Sequence, residues 1–306
     1  MEHHNVVIIG GGPTGLAAAL ELHRMGITDV VVLEREQLAG GIPRHCGHRG
    51  FGLYRNYGLL TGPVLAEKLR SLTQSLDVRT ATTVLEFNMR GNLHVQSVAG
   101  ISELSADKII LATGARETSR AARLIGGNKL PGVMNTGEFQ QRVYLNHEKP
   151  FERPVIVGSE WISYSNILTC CHAKIKPLAM IAENSQNNAP AHFGWGARIV
   201  FQTPTVRNAK LLAIHGNKKV EAVEILENEK TRMIKCDGVI ISGKLRSESA
   251  LYSAGFLERD GDAPKVSERF LTSRPNVYAV GNVLGKIETA GHCMAQGRAL
   301  AKVIAA

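Results

Sequence analysis

The chain has 306 residues, 44% hydrophobic and 21% charged, with 31 glycines, five cysteines and a formal charge of +9. No apolar run reaches the roughly 18–20 residues a membrane-spanning helix needs, and the length suits about two globular domains. The lysines and arginines are scattered, without a dense basic run or interleaved aromatics. The positive charge therefore points to an acidic partner or an anionic substrate rather than to nucleic acid.

In chain order, residues 6–9 (Val-Val-Ile-Ile) read as a buried parallel strand that follows Met1 to Asn5 at once, with no secretory signal pattern. A glycine-rich turn comes next, then a helix over 16–25 with Gly26 at its stop, then a second buried strand at 30–33. Residues 38–60 are glycine-rich and irregular, as a loop wrapped around a ligand would be. A helix is predicted over 63–76, and strand-like pieces at 78–87, 93–98 and 108–112. A second strand–turn–helix opens at 154–158, continues through a helix over 161–173 and reaches a strand at 177–182. Alternating segments over 209–239 predict a β-meander, 277–280 a further buried strand, and 289–304 a closing helix. Two such starts predict an α/β chain of two Rossmann-like doubly wound domains. The last strand and helix complete the first domain, so the second is inserted into it. The expected boundaries are 1–118 and 249–306 for the first and 119–248 for the second.

Gly10-Gly-Gly12-Pro-Thr-Gly15 is a G-x-G-x-x-G turn between a strand and a helix, and Glu34 ends the next strand. Gly10 permits the tight turn, Gly12 lets a pyrophosphate approach the backbone, and Gly15 allows close helix–strand packing. The helix start presents N–H groups and partial positive charge to the phosphates, while Glu34 would accept from ribose hydroxyls and repel a 2′-phosphate.

The second turn, Val155-Ile-Val-Gly158-Ser-Glu-Trp-Ile-Ser163, keeps only its first glycine. Glu160 brings bulk and negative charge to the phosphate position, worth on the order of a few kcal/mol of repulsion at an intermediate dielectric. Ala182-Glu-Asn-Ser-Gln-Asn187 after the next strand lacks an Arg cluster for a 2′-phosphate. The expectation is a Rossmann-like domain with no NADPH site and a poor NADH site.

Cysteines 46, 170, 171, 236 and 293 form neither C-x-x-C nor C-x-x-x-x-C, nor four spaced ligands for an iron–sulfur cluster. Cys170-Cys171 lies in a predicted helix, where a vicinal disulfide would be strained, so both are expected to be small buried residues. His45-Cys46-Gly-His48 lacks a fourth ligand and a zinc spacing, and no metal is expected. The unpatterned cysteines and the missing signal lead to an expected cytoplasmic location.

The first glycine turn, Gly40-Gly41, Ile109-Ile-Leu-Ala-Thr-Gly-Ala115 and Val277-Tyr-Ala-Val-Gly-Asn282 resemble motifs of FAD-binding domains in the pyridine nucleotide-disulfide oxidoreductase superfamily, which includes thioredoxin reductase. The resemblance spans nearly the whole chain and implies FAD. It implies that Gly10, Gly12, Pro13, Thr14, Gly15, Glu34, Arg35, Gly41, Ile42 and His45 surround the cofactor. It further implies that Thr83 and Val84 lie near the adenine, and that Ala112, Thr113 and Gly114 pass close to the dinucleotide. Gly281 and Asn282 would meet the ribityl chain, and the helix start at Thr289 and Ala290 would face the flavin N1–C2=O edge. The family's usual residue at 282 is Asp; Asn can still hydrogen-bond a ribityl hydroxyl.

Gly40-Gly-Ile-Pro-Arg-His-Cys-Gly-His-Arg-Gly-Phe-Gly52, Gly158-Ser-Glu-Trp-Ile-Ser-Tyr164 and Glu288-Thr-Ala290 are similar to small FAD subunits of bacterial heteromeric dehydrogenases of the opine, hydroxyproline, sarcosine and glycerol-3-phosphate kinds. That resemblance implies two partners: an FAD subunit of the D-amino-acid-oxidase type, and a small iron–sulfur protein. No cluster is expected on this chain, which stops at Ala306. His45, Cys46 and His48 are weak candidates for lining the flavin or an interface, and Phe51 and Tyr54 are core residues or flavin contacts. The competing expectations are a free-standing NADH-dependent flavin reductase lacking a redox disulfide, and a structural component that keeps FAD for stability alone.

Overall fold

The computed structural model describes residues 1–51, 59–88, 90–184, 197–252 and 255–306, so Gly52, Tyr54 and positions 185–187 lie outside the described residues. The chain forms two compact units. Met1–Arg44, Arg49–Arg116 and Leu245–Ala306 make the first; His45–His48 and Glu117–Lys244 make the second.

The first unit opens with β1 (Glu2–Ile9), α1 (Pro13–Arg24), β2 (Val30–Leu33), α2 (Gly62–Leu72), β3 (Asp77–Arg79), β4 (Thr83–Phe87), β5 (Asn92–Ser97) and β6 (Gly100–Leu111). Its sheet runs β3-β2-β1-β6-β5-β4, and the late strand Val277–Ala279 pairs in parallel with β6. Side chains alternate along each buried strand. Val6, Ile8, Val30, Val32 and Ile110 face the helical layer, while Val7, Ile9, Val31, Leu33, Ile109 and Leu111 face the layer that holds Val84, Val95 and Tyr252. A four-residue strand buried on both faces must be apolar throughout, as Val30–Leu33 is.

In the second unit, β7 (Val133–Asn135), α3 (Thr136–Tyr144), β8 (Pro154–Val157), α4 (Trp161–His172), β9 (Ala179–Ile181) and β10 (Thr205–Val206) are followed by β11 (Ala209–His215), β12 (Ala222–Glu227), β13 (Lys230–Lys235) and β14 (Gly238–Ile241). Five parallel strands run β7-β14-β8-β9-β10, while β11, β12 and β13 are consecutive antiparallel neighbours in a separate sheet. One face of the parallel sheet packs on α3 and α4 through Phe139, Ile156, Ile167 and Ile240. The other packs on the meander through Val155, Val157, Leu211, Val223 and Ile225.

Three elements differ from the sequence expectation. The stretch 78–87 is two strands, because Ala81 takes φ +49° and turns the chain between β3 and β4. The meander stops at β13, and β14 instead sits between β7 and β8. Its four residues are all buried, a pattern for a central parallel strand rather than a half-exposed one. Cys170 is buried as expected, but Cys171 is exposed; both are free thiols.

The closing helix Ala290–Ala305 crosses α1 very closely, since a Cβ on Gly297 would lie 2.3 Å from the Thr14 carbonyl oxygen. Alanine would gain about 1 kcal/mol of helix propensity over glycine. Overpacking against backbone costs about 1–3 kcal/mol or more, so the clash wins. Gly297→Ala is therefore expected to lower the thermal unfolding midpoint; an unchanged or raised midpoint in calorimetry would contradict this packing.

Candidate dinucleotide site

The site grows from the end of β1. Gly10 N–H donates to Leu33 O at 2.9 Å, and a Cβ on Gly10, at φ +112°, would meet the Ala112 carbonyl oxygen at 2.5 Å. A Cβ on Gly15 would lie 2.0 Å from the Gly10 carbonyl oxygen, so α1 can start against the strand only with glycine there. Gly12 is different. It caps α1 with φ −78° and ψ −176°, angles any residue adopts, and an added Cβ would meet nothing nearer than the Gly41 Cα at 3.9 Å. Glycine at 12 keeps open a space that the chain itself does not fill.

The loop after β2 walls this space. Gly40 N–H donates to Gly11 O at 2.7 Å, and Gly41, at φ +60°, brings its backbone against Gly12 and the Pro13 ring. Ile42 starts a short 3₁₀ turn and is exposed. No side chain caps α1, and Pro13 occupies its first turn, so the helix start faces the gap with its partial positive charge.

Glu34 is buried beside this turn. Its carboxylate accepts from Gly11 N–H at 2.8 Å and from Glu36 N–H at 2.9 Å. Burial pushes its pKa up, and the two N–H donors oppose that shift. Thr82 N–H donates to Glu34 O at 2.9 Å, which brings the start of β4, exposed Thr83 and buried Val84, alongside. Arg35 is largely exposed and reaches Glu248 at 3.8 Å.

The ends of β6 and of strand Val277–Ala279 complete the rim. Ala112 N–H donates to Ile9 O, Thr113 Oγ1 donates to Glu248 O at 3.1 Å, and Gly114 O accepts from Glu248 N–H at 3.0 Å. Gly281, at φ +84°, lies against Thr14, whose Oγ1 a Cβ would meet at 2.4 Å, and its N–H donates to Gln296 at 3.1 Å. Asn282 Oδ1 accepts from Glu288 N–H at 2.8 Å and from the Cys293 thiol at 3.3 Å, while its Nδ2 donates to Glu288 O at 3.3 Å. A carboxylate could not make that last donation, so Asn suits this closed loop, and one amide N–H remains. Thr289 Oγ1 accepts from His292 N–H at 3.4 Å and caps the helix that starts at Ala290. Glu248, Gln296 and Cys293 escaped sequence reasoning because each acts through a contact distant in sequence.

His45–His48 belongs to the second unit. Cys46 is buried there and donates its thiol hydrogen to Gln140 Oε1 at 3.1 Å. Burial pushes the thiol up to about 12, which favours the neutral form at neutral pH. His45 is buried and His48 half-buried. Phe51 packs against the α1 side of the first unit's core. Among the described residues, Glu2, His4 and Asp77 could together offer three metal ligands. Arg79 already donates to Glu2 at 2.8 Å and to Asp77 at 2.7 Å, so a fixed cation occupies that cluster. Also among the described residues, no helix is long and apolar enough to cross a membrane.

A family model described as pyridine nucleotide-disulphide oxidoreductase matches residues 4–176 and 201–297. The chain belongs to that family. It is an FAD-dependent oxidoreductase, and the family implies both FAD and a pyridine nucleotide. The alpha chain of sarcosine oxidase from Rhizobium meliloti (strain 1021) is 28% identical over 79% of this chain and 24% of its own length. One of the opine oxidase subunits of Rhizobium meliloti is 25% identical over 93% of this chain and 59% of its own length. The chain thus spans less than two thirds of either curated relative. The crystal structure of T. acidophilum thioredoxin reductase matches with a TM-score of 0.83 at 21% identity, covering 100% of this chain and 98% of that one. The fold is therefore thioredoxin-reductase-like, with two Rossmann-like domains and the second inserted in the first. Within this pyridine nucleotide-disulphide oxidoreductase, the open side of Gly12 at the start of α1 is the candidate place for an FAD diphosphate.

Two outcomes follow for this site. Gly12→Ala should leave apo-protein stability within about 0.5 kcal/mol, as for a substitution without strain, yet weaken FAD binding at least about tenfold. Equilibrium FAD titration beside apo-protein melting checks both halves, and undiminished FAD binding would refute the assigned gap. The raised pKa of Glu34 links its protonation to folding. That stabilisation is full below the unfolded value near 4.5 and is lost as pH rises through the folded value. Between about pH 4 and 7, the apo protein should lose stability relative to Glu34→Gln, measured by denaturant unfolding at each pH.

Proposed function

We propose that this chain is the electron-transferring FAD subunit of a heteromeric dehydrogenase for amines, amino acids or opines. FAD is held with its diphosphate over Gly10, Gly12, Pro13, Thr14, Gly15 and Gly41, its adenosine by Glu34, Arg35, Thr83 and Val84, and its flavin end by Ala112, Thr113, Gly114, Gly281, Asn282, Thr289 and Ala290. Ile42 and His45 follow Gly41 on one short 3₁₀ turn and edge that site. When bound, FAD supplies a carrier that takes up two electrons and releases them singly or together. The carboxylate of Glu34 keeps lone pairs for ribose hydroxyls, and the helix start at Ala290 favours negative charge beside it.

The observation that carries this reading is the placement of the five cysteines. All are free, and four are buried. Burial raises the thiol pKa of Cys46, Cys170, Cys236 and Cys293 alike, which keeps these thiols neutral. The five cysteines also form neither C-x-x-C nor C-x-x-x-x-C, so the flavin has no such dithiol to reduce, which favours exchange of its electrons with a partner. Relatives named as subunits of sarcosine oxidase and opine oxidase support that role. The partners are a D-amino-acid-oxidase-type FAD subunit, which oxidises the substrate, and a small iron–sulfur protein, which carries the cluster in the cytoplasm.

The second reading is a free-standing NADH-dependent flavin reductase, favoured by the pyridine nucleotide that the family implies. Affinity purification of the chain from its native cells, with mass spectrometry of what accompanies it, separates the two. Anaerobic bleaching of the flavin absorption band by substrate plus the co-purified partners is the expected result. Fast bleaching of the isolated chain by NADH, with no partner recovered, would replace the subunit reading with the reductase.

A further inference from the structure

The two glycine turns can be compared atom for atom within their own units. Gly158 N–H donates to Ile181 O at 2.9 Å, as Gly10 N–H does to Leu33 O at 2.9 Å. Glu160 caps α4 with φ −80° and ψ 170°, and Gly12 caps α1 with φ −78° and ψ −176°. Ser242 N–H donates to Val157 O as Ala112 N–H does to Ile9 O, and Lys244, at φ +52°, stands where the first unit has Gly114, at φ +75°. Ala182 N–H donates to Val206 O and Ala182 O accepts from Ala209 N–H; at Glu34 the same two bonds run to Arg79 O and from Thr82 N–H. Among the described residues, the glycine turn, the helix start and the strand ends of the second unit thus repeat the backbone course of the first.

Its contents differ. Gly243, at φ +82°, stands where the first unit has Thr113, and a Cβ added there would meet Glu160 Oε2 at 2.3 Å and Oε1 at 2.6 Å. A Cβ at Gly158 would meet Glu160 Oε2 at 2.8 Å. The same oxygen accepts from Ser159 N–H at 3.0 Å and from Ser163 Oγ at 3.1 Å, and Ser163 Oγ also lies 3.0 Å from Ser242 Oγ. In the first unit, the N–H equivalent to Ser159 belongs to Gly11 and donates to Glu34. In the second, the position equivalent to Glu34 is Ala182, so no strand-end carboxylate serves that N–H.

We infer that Glu160 is the built-in occupant of the second glycine turn: its carboxylate takes the N–H that a strand-end acid serves in the first unit, and it fills the space over the turn that a pyridine dinucleotide would enter. The turn is kept but self-filled. One residue supplies the anion beside the helix start, satisfies Ser159 N–H in place of a strand-end acid, and covers both positive-φ glycines. A ligand diphosphate would have to displace a tethered carboxylate already bonded there, and no strand-end acid would hold its ribose. The pyridine nucleotide that the family implies therefore does not fit this unit as it stands. This holds whether the chain works within a complex or by itself.

The test is equilibrium binding of NADH to the FAD-loaded full chain by calorimetry, which requires no electron transfer. Glu160→Gly restores a glycine at the cap. Glu160→Ala, at a φ that any residue adopts, provides a second variant that keeps the fold. Both are expected to gain saturable NADH binding at least about tenfold tighter than the parent chain. Adding Ala182→Glu, which supplies an acceptor for Ser159 N–H and the ribose, should tighten it further. Bound flavin, read on the same samples, is expected to match the parent, while the thermal midpoint falls somewhat in the single variants through the lost Ser159 N–H acceptor. Parent binding as tight as that of the variants, or no gain in either single variant, would overturn the assignment.

Discussion

Around Gly10, Gly15 and Gly297 the backbone comes closer to itself than any side chain allows. The carbonyl of Gly10 lies where a Cβ of residue 15 would sit, and the carbonyl of Thr14 lies where one of residue 297 would sit. These two contacts fix where α1 begins relative to β1, and where the closing helix crosses it. Once they are fixed, the start of α1 must open at the carboxyl edge of the sheet, where the strand order reverses between β1 and β6. The dinucleotide gap is a consequence of that packing rather than a pocket carved into a finished fold.

Three glycines of the first turn have three different reasons. Gly10 needs its φ of +112°, and Gly15 needs contact with a carbonyl. Gly12 needs neither, and an added side chain there would meet little of the chain. This separation distinguishes a binding turn from a structural one. The second unit inverts the case, since its cap residue takes the same backbone angles and carries a carboxylate that folds into the vacated volume. A carboxylate acts as a backbone acceptor in both units, buried at Glu34 and half-buried at Glu160. Glu34 does so from the next strand, leaving the gap open, while Glu160 does so from inside the cradle, closing it.

A second theme is the neutralisation of groups that composition alone makes suggestive. Arg79 already fills the acidic cluster at the start of β1 and holds Glu2 down to about 2. The Cys46 segment is clasped by Gln140, which in turn donates to Ser165, so its thiol belongs to a buried polar seam between α3 and α4. These side chains are structural because each has a partner with matching charge or hydrogen-bonding character. The chemistry of the chain narrows to the dinucleotide that the first unit can hold.

What the sequence determined by itself was local and periodic. Continuous apolar runs marked the buried strands, and the glycine spacing with Glu34 marked the first turn, because backbone conformation and phosphate approach depend on neighbours close in the chain. Glu160 was legible as an intruder for the same reason. Tertiary structure alone decided that Ala81 splits one apolar stretch into two strands, that β14 leaves the meander for the parallel sheet, and that Asn282 closes a loop through Glu288 and Cys293. It alone showed the Glu160 carboxylate lying over Gly243, far along the chain. Those outcomes rest on contacts between residues remote in sequence, whose energies depend on burial and geometry that no local pattern encodes.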